Sequence, residues 1–224
     1  MNLAINRVAI YSDMTALKAL FLAASMLVTG CALPDKPRPS VSYDFGPGGS
    51  RENTAPTPPT QGAITLAEVE TSAALEGTAV LYRLAYADAQ ALYPYAQARW
   101  SMPPAQLLRQ QAKAQLGATR AVLSGAEVVS GGVGTAATGS ARLLRLELEE
   151  FSQVFESPTQ SIGLVRLRVN VMQPSAQGDR LIAQRTIRVT RPAPTADAPG
   201  GVRALTIATE AAMVELDAWL RQLP

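Results

Sequence analysis

Alternating apolar and polar positions mark two strands in the second half of the chain. A period of two is the signature of a strand with one buried face, and it runs through residues 144–148 and 165–171. A third strand is predicted over residues 181–189, after the turn residues Gln177-Gly178-Asp179. The pattern therefore predicts an antiparallel meander. The phase slips at Glu150-Phe151, which predicts a bulge or bend in the first of these strands.

Two further strands are predicted nearer the amino terminus. Apolar residues near Ile64 indicate the first. Residues 80–86 alternate more clearly, and they place Tyr82 and Tyr86 on one face and Arg83 on the other.

Apolar residues at helical spacing predict two helices. The first begins at Pro103-Pro104, with Ser101 or Met102 as its cap, and ends at Gly117. The second runs over residues 202–220, after Pro199-Gly200-Gly201. Their apolar stripes are Leu108, Ala112 and Leu116 in the first helix, and Leu205, Ala208, Ala212, Leu216 and Trp219 in the second.

Strands and helices in this order predict an α/β layered domain over residues 63–224, with a mixed, largely antiparallel sheet covered by two or more helices. Residues 31–62 are rich in proline and glycine, a composition typical of a disordered tether. In a polyproline-like state, at about 3.1 Å per residue, this tether would reach at most roughly 90 Å. Tyr43-Asp44-Phe45-Gly46 interrupts it, and we expect these residues to be its one docked element.

The first thirty residues are typical of a signal peptide. The apolar run over residues 16–28 is too short for the roughly 20 residues that a membrane-spanning helix needs, and it ends in Val28-Thr29-Gly30-Cys31. This ending resembles a bacterial lipobox, which implies cleavage after Gly30 and acylation of Cys31 with fatty acids such as palmitate. Asp13 is unusual in a basic leader, so the start at Met1 or at Met14 stays open.

The amino-acid composition limits the catalytic and metal-binding side chains that the protein has. The 224 residues include no histidine and one cysteine, which removes the usual general base, metal ligand and nucleophile pairs. Any enzyme chemistry would therefore have to use carboxylates, lysine or tyrosine, and we predict no metal and no cofactor. A net charge of +2 provides no overall field that would attract nucleic acid, so nucleic acid is not an expected partner.

Two sequence motifs could in principle bind a nucleotide or perform catalysis. Gly132-Val133-Gly134 superficially resembles a dinucleotide-binding loop, but a strand rather than a helix is predicted after it, so an inter-strand loop is favoured. Glu147, Glu149 and Glu150 are the densest carboxylates, and paired carboxylates can hydrolyse glycosides. Their place on the polar face of a strand favours solvated ion pairs with neighbouring arginines.

Aromatic residues between the predicted elements are the better candidates for a partner surface. Tyr93, Tyr95 and Trp100 lie in such a stretch, and clustered aromatics are enriched where apolar surface meets water. Tyr82 and Tyr86 are more typical of core packing.

Several ordered blocks together resemble the ABC-type transport auxiliary lipoprotein family, of the PqiC type. Besides the lipobox, these blocks are residues 43–47, 81–88, 95–100, 103–108, 146–151 and the terminal helix ending in Trp219-Leu220. The resemblance implies a non-catalytic outer-membrane lipoprotein. The residue after Cys31 is Ala32 rather than aspartate, which by resemblance to proteobacterial lipoproteins implies export to the outer membrane. It also implies an inner-membrane ABC permease and ATPase and a periplasmic MCE-domain protein as partners in lipid transport that supports membrane integrity.

Two classes of function remain open from the sequence. In the first, the domain docks the MCE protein or another copy of itself, as a homo-oligomer that could form a ring. In the second, it is a carboxylate-dependent hydrolase of the cell envelope that uses residues such as Glu149. A lipoprotein activator of a cell-wall enzyme is a third alternative.

Overall fold

The computed structural model describes residues 39–47, 60–124 and 141–224. The signal peptide, Cys31 and the loop at Gly132-Val133-Gly134 lie outside the described residues. The strands are β1 (Val41–Tyr43), β2 (Gln61–Leu66), β3 (Glu70–Thr71), β4 (Ala79–Leu84), β5 (Asp88–Trp100), β6 (Arg120–Ser124), β7 (Arg142–Ser157), β8 (Gln160–Gln173) and β9 (Arg180–Pro192). The helices are α1 (Pro104–Gly117) and α2 (Ala198–Leu220), with a short 3₁₀ turn at Ala73–Leu75.

The long strand β7 carries most of the pairing in the sheet. One edge of β7 pairs antiparallel with β8 along nearly its whole length. The other edge is divided among β2, β3 and β4, which all run parallel to β7. β7 is therefore buried between neighbours on both sides.

The remaining strands extend the sheet from this centre. β9 pairs antiparallel with β8, and β5 pairs antiparallel with β4. β6 pairs parallel with β2, and β1 parallel with β5. The antiparallel pairings join the long strands and the parallel ones are short, so the predicted mixed, largely antiparallel sheet and its β7-β8-β9 meander are confirmed. The register of β7 shifts between Leu148 and Glu150, which confirms the predicted bulge.

The two helices form the second layer. α2 packs against β7, β8 and β9, and α1 packs against α2 and β6. The predicted stripe of α1 is confirmed, since Leu108, Ala112 and Leu116 are fully buried. Among the described residues, no helix combines the length and the apolar character needed to cross a membrane.

The first helix begins at Pro104 and ends at Gly117 as predicted, but its cap and the start of the second helix differ from the prediction. Pro103, rather than Ser101 or Met102, is the cap of α1, because Pro104 at the first helical position needs no partner for a backbone N–H. α2 begins at Ala198, four residues before the predicted start. The side chain of Asp197 accepts a hydrogen bond from the Gly200 N–H at 2.8 Å and so caps the helix.

Small residues let α2 approach the sheet closely. A Cβ on Gly163 of β8 would lie 2.7 Å from backbone atoms of Ala204 and Leu205 in α2. A Cβ on Gly201 would lie 2.1 Å from the side-chain oxygen of Gln153 in β7. The amino-terminal half of α2 therefore rests directly on β7 and β8.

Strand β5 was not predicted, because Pro94 and the aromatic stretch around it are typical of an irregular connection. β1 pairs only with Ala98–Trp100, so that edge of β5 has no partner at Pro94 among the described residues. A proline is tolerated at such an edge position because no ladder hydrogen bond is lost there.

The segment before the domain docks as expected. β1 adds to the sheet beside β5, and the ring of Phe45 lies 5.7 Å from the ring of Trp100 and 6.2 Å from that of Phe151. The predicted docked element of the tether is therefore confirmed.

A buried ion pair joins the end of α2 to the edge strand β6. The Arg120 guanidinium lies 2.6 Å from the Asp217 carboxylate, and each side chain is only 4% exposed. Arg221 also contacts Asp217 from the next helical turn. Because the desolvated charges compensate each other, removing one partner alone is costly.

Replacing Gly163 with alanine is expected to destabilise the protein by about 1–3 kcal/mol, because the new methyl group has no room against the α2 backbone. Chemical denaturation measures the effect. Gly62→Ala is the matched control: nothing lies within 4 Å of its Cβ position, so its stability should stay within about 0.5 kcal/mol of wild type. Equal stability of both variants would contradict the close approach of α2.

Replacing Asp217 with asparagine is expected to lower the free energy of unfolding by about 3–5 kcal/mol, because Arg120 would be left buried without its counter-ion. The control on the same helix is Glu215→Gln, which removes a partly exposed pair with Arg185 and should cost less than about 1 kcal/mol. Thermal or urea unfolding of the two variants separates these outcomes, and similar losses would show that the Arg120 pair is not buried.

Candidate functional site

Three tyrosines of β4 and β5 form one surface, which we call the tyrosine surface: Tyr82, Tyr93 and Tyr95. The Tyr82 ring stacks on Tyr93 at 5.5 Å between centroids and lies 4.6 Å from Tyr95. Phe155 of β7 is nearly buried and meets the Tyr82 ring edge to face at 5.9 Å. Tyr93 is the outermost member, with 41% of its surface exposed.

A buried chain of hydrogen bonds holds Tyr95 in place. Its hydroxyl donates to the side-chain oxygen of Gln153 at 2.8 Å, and the Gln153 amide donates to the Ser161 hydroxyl at 2.7 Å. Gln153 and Ser161 are buried under the first turn of α2. Burial raises the pKa of Tyr95 above its usual range, and the nearby Tyr82 and Asp197 raise this pKa further. Tyr95 is thus a neutral, hydrogen-bonded neighbour of the Tyr82 ring, on which the exposed ring of Tyr93 stacks.

Trp100 does not belong to this surface, which corrects the sequence-based grouping. It is 2% exposed and packs against Phe45 and Phe151 in the core. The covering ring of Phe45 comes from the docked segment before the domain, 55 residues earlier in the chain. The sequence around Trp100 therefore does not indicate that the Phe45 ring buries it.

The stretch of chain around Tyr93 and Tyr95 is poor in charge. Between Leu84 and Ala98 the only charged residue is Asp88. The carboxylate of Asp88 turns back and accepts hydrogen bonds from the backbone N–H groups of Gln90 and Ala91. An exposed stretch with so few charges, on a protein that is 17% charged, is typical of a contact surface.

The three carboxylates with catalytic potential are all in ion pairs. Glu150 receives two hydrogen bonds from Arg83, at 3.1 and 3.3 Å. Glu149 lies 3.0 Å from Arg166, and Glu147 lies 3.8 Å from Arg168. The predicted arginine partners are present, but only Glu147 is solvated as expected: its side chain is 43% exposed, against 15% for Glu149 and 11% for Glu150. Among the described residues, no group of acidic or cysteine side chains could hold a metal ion.

An open cleft of about 580 Å³ lies beside the carboxyl end of α2. Its walls include Arg120, Arg142 and Arg221. Asp217 pairs with two of these arginines, and the carbonyl oxygen of Pro224 accepts a hydrogen bond from Arg142. These internal partners explain the arginines without a ligand.

The family of this chain is shown by a match to a family model. The model described as the ABC-type transport auxiliary lipoprotein component matches residues 43–216, from the last residue of β1 through the tyrosine surface to most of α2. The chain belongs to this family. The recognition made from the ordered sequence blocks is therefore confirmed, and this auxiliary lipoprotein is a component associated with an ABC-type transport system.

Solved structures show the same fold. The auxiliary lipoprotein is similar to the crystal structure of protein XCC0632 from Xanthomonas campestris, of the DUF330 family, with a TM-score of 0.58, 19% identity, and coverage of 74% of this chain and 88% of that one. It is also similar to an uncharacterized protein, with a TM-score of 0.56, 13% identity, and coverage of 82% of this chain and 99% of that one. No curated protein matches the chain.

The pH dependence of stability tests the buried setting of Tyr95. Its pKa is raised in the folded state, so folding is favoured below the unfolded value of about 10 and loses this contribution as the pH rises above it. Tyr95→Phe should cost about 1 kcal/mol at neutral pH, because Gln153 loses a donor. Urea unfolding from neutral pH to above pH 10 should show the wild-type advantage shrinking with alkalinity. An advantage that stays constant would contradict the burial of this hydroxyl.

Proposed function

We propose that this auxiliary lipoprotein is a non-catalytic subunit that docks the periplasmic component of an ABC/MCE-type lipid transport system at the outer membrane. The observation that carries the proposal is the tyrosine surface, in which the exposed ring of Tyr93 stacks on Tyr82 and Tyr95 is hydrogen-bonded to Gln153. Its partner would be an MCE-domain protein that works with an inner-membrane permease and ATPase.

The anchor in this proposal is Cys31. Cleavage after Gly30 would leave Cys31 as the new amino terminus, and several acyl chains hold a protein on a membrane far longer than one chain does. Membership in a lipoprotein family supports this modification. Ala32 in the following position supports sorting to the periplasmic face of the outer membrane.

The physical character of the tyrosine surface suits protein docking. Aromatic residues dominate the binding energy of many interfaces, because they bury large areas and lose little conformational entropy. Tyr93 loses still less, since its ring already stacks on Tyr82. A preorganised ring therefore binds without the cost of ordering a mobile side chain.

The carboxylate-dependent hydrolase has less support. A catalytic carboxylate must be free to contact the substrate. The carboxylates of Glu149 and Glu150 each lie in an ion pair with an arginine instead. If the tyrosine surface instead activates a cell-wall enzyme, the crosslinking experiment described next would capture that enzyme.

Crosslinking in cells tests the docking role. A photoreactive residue in place of Tyr93 should capture the MCE-domain protein or a second copy of this chain. The control carries the same residue in place of Val214, which is 56% exposed on α2, outside the tyrosine surface. Its capture should be several-fold weaker, because that position lies outside the proposed interface.

Mass spectrometry identifies what each position captures. Recovery of a cell-wall enzyme or of glycan at Tyr93 would overturn the assignment of the partner. Equal capture of the same protein at Val214 would show that the tyrosine surface has no special role.

A further inference from the structure

The docked segment limits how far the domain can stand from its anchor. Ten residues separate Cys31 from Val41, and a fully extended chain of that length spans at most about 36 Å. Without the docking of β1, the first residue of the domain would be Thr60. The 29 residues from Cys31 to Thr60 could then span roughly 100 Å. Docking of β1 thus removes most of the reach of the predicted tether.

The direction of β1 determines the side from which this connection enters. β1 is parallel to β5, with Val41 beside Ala98 and Tyr43 beside Trp100. The chain therefore enters β1 from the side on which β5 begins, where the β4-β5 hairpin turns. Ten residues also separate Asp88 from Ala98, so an extended connection just reaches the level of that turn.

The hairpin turn at this end is exposed, rigid and nearly uncharged. We call residues Ala85–Gln90 the hairpin tip; Tyr86 is its large side chain and is 49% exposed. Arg83 donates hydrogen bonds to the backbone carbonyls of Ala89 and Gln90, while Asp88 accepts from the backbone beyond the turn. The charges near the tip are therefore used to hold its backbone.

We propose that the hairpin tip rests in the headgroup region of the membrane that holds the lipid on Cys31, with Tyr86 at the interface. Tyrosine is enriched at this depth of a bilayer, because its ring is apolar and its hydroxyl is polar. The inference rests on the anchor in the proposed function. It assigns the tip to lipid and leaves Tyr93, on the side of the sheet, for the docking partner.

Such a contact needs little affinity of its own. The acyl chains supply the attachment, and the short connection keeps the tip at high local concentration near the lipid. The role of the tip is to set the orientation of the domain. The opposite end of the sheet, with the β8-β9 turn, then faces away from the membrane.

Two alanines in turns at opposite ends of the sheet provide a matched test. Ala87 lies in the hairpin tip and Ala176 in the β8-β9 turn, and both are exposed. The acylated full chain is made as Ala87→Cys and as Ala176→Cys, each labelled with an environment-sensitive fluorophore. Each protein is reconstituted in vesicles of phosphatidylethanolamine with a minor share of phosphatidylglycerol that contain nitroxide-headgroup lipid.

The label at residue 87 should be quenched several-fold more strongly than the label at residue 176. Equal quenching at both ends, quenching of neither, or stronger quenching at residue 176 would overturn the inference. A wild-type chain that fails to float with vesicles and accepts the thiol label would instead show that Cys31 carries no lipid, which is failure of the anchor itself. Binding of the tip to a protein would be visible as loss of quenching when the MCE-domain protein is added, and it would also contradict the assignment to lipid.

Discussion

The pairing of β7 on both edges is the constraint on which the rest of the structure depends. Its continuous contact with β8 builds the meander that supports α2, while its other edge joins β2, β3 and β4 into the same sheet. The second edge is paired at residues 142–144, 147–148 and 153–155, so the bulge at Glu149 falls between two of these paired segments. After the bulge, Glu150 pairs with Arg83 and Phe151 lies in the core.

That constraint positions the candidate site. β4 lies beside the end of β7, with Tyr82 next to Gln153 in the register. The tyrosine surface on β4 and β5 therefore adjoins the central strand of the sheet. Gln153 then links Tyr95 to Ser161 of β8, and Gly201 allows α2 to cover this link. The proposed docking role needs a preorganised surface, because a partner then binds without reordering it. The glutamates on β7 lie in ion pairs with arginines of β4 and β8, an arrangement that joins neighbouring strands of the sheet.

The family was identified from its resemblance in several ordered sequence blocks, whereas local periodicity predicted the meander and both helices, because those features repeat within short stretches of sequence. It did not predict β5, where Pro94 suggests a break and only the three-dimensional edge makes the proline tolerable. It placed Trp100 on the surface, because the Phe45 ring that covers it comes from a distant segment. The pair Arg120 and Asp217 is separated by 97 residues and carries no local pattern either. Tyr93 was found from composition alone, but its support by Tyr82 required the strand register.

The central claim is that this chain acts as a lipid-anchored subunit of its transport system, and the intact mass of the protein purified from its native membranes tests that claim most directly. The account predicts a mature chain that begins at Cys31 and is heavier than polypeptide 31–224 by a diacylglyceryl group and an additional acyl chain. A mass equal to the unmodified polypeptide, or a chain that retains residues 1–30, would contradict the anchor and with it the proposed place of the domain at the membrane.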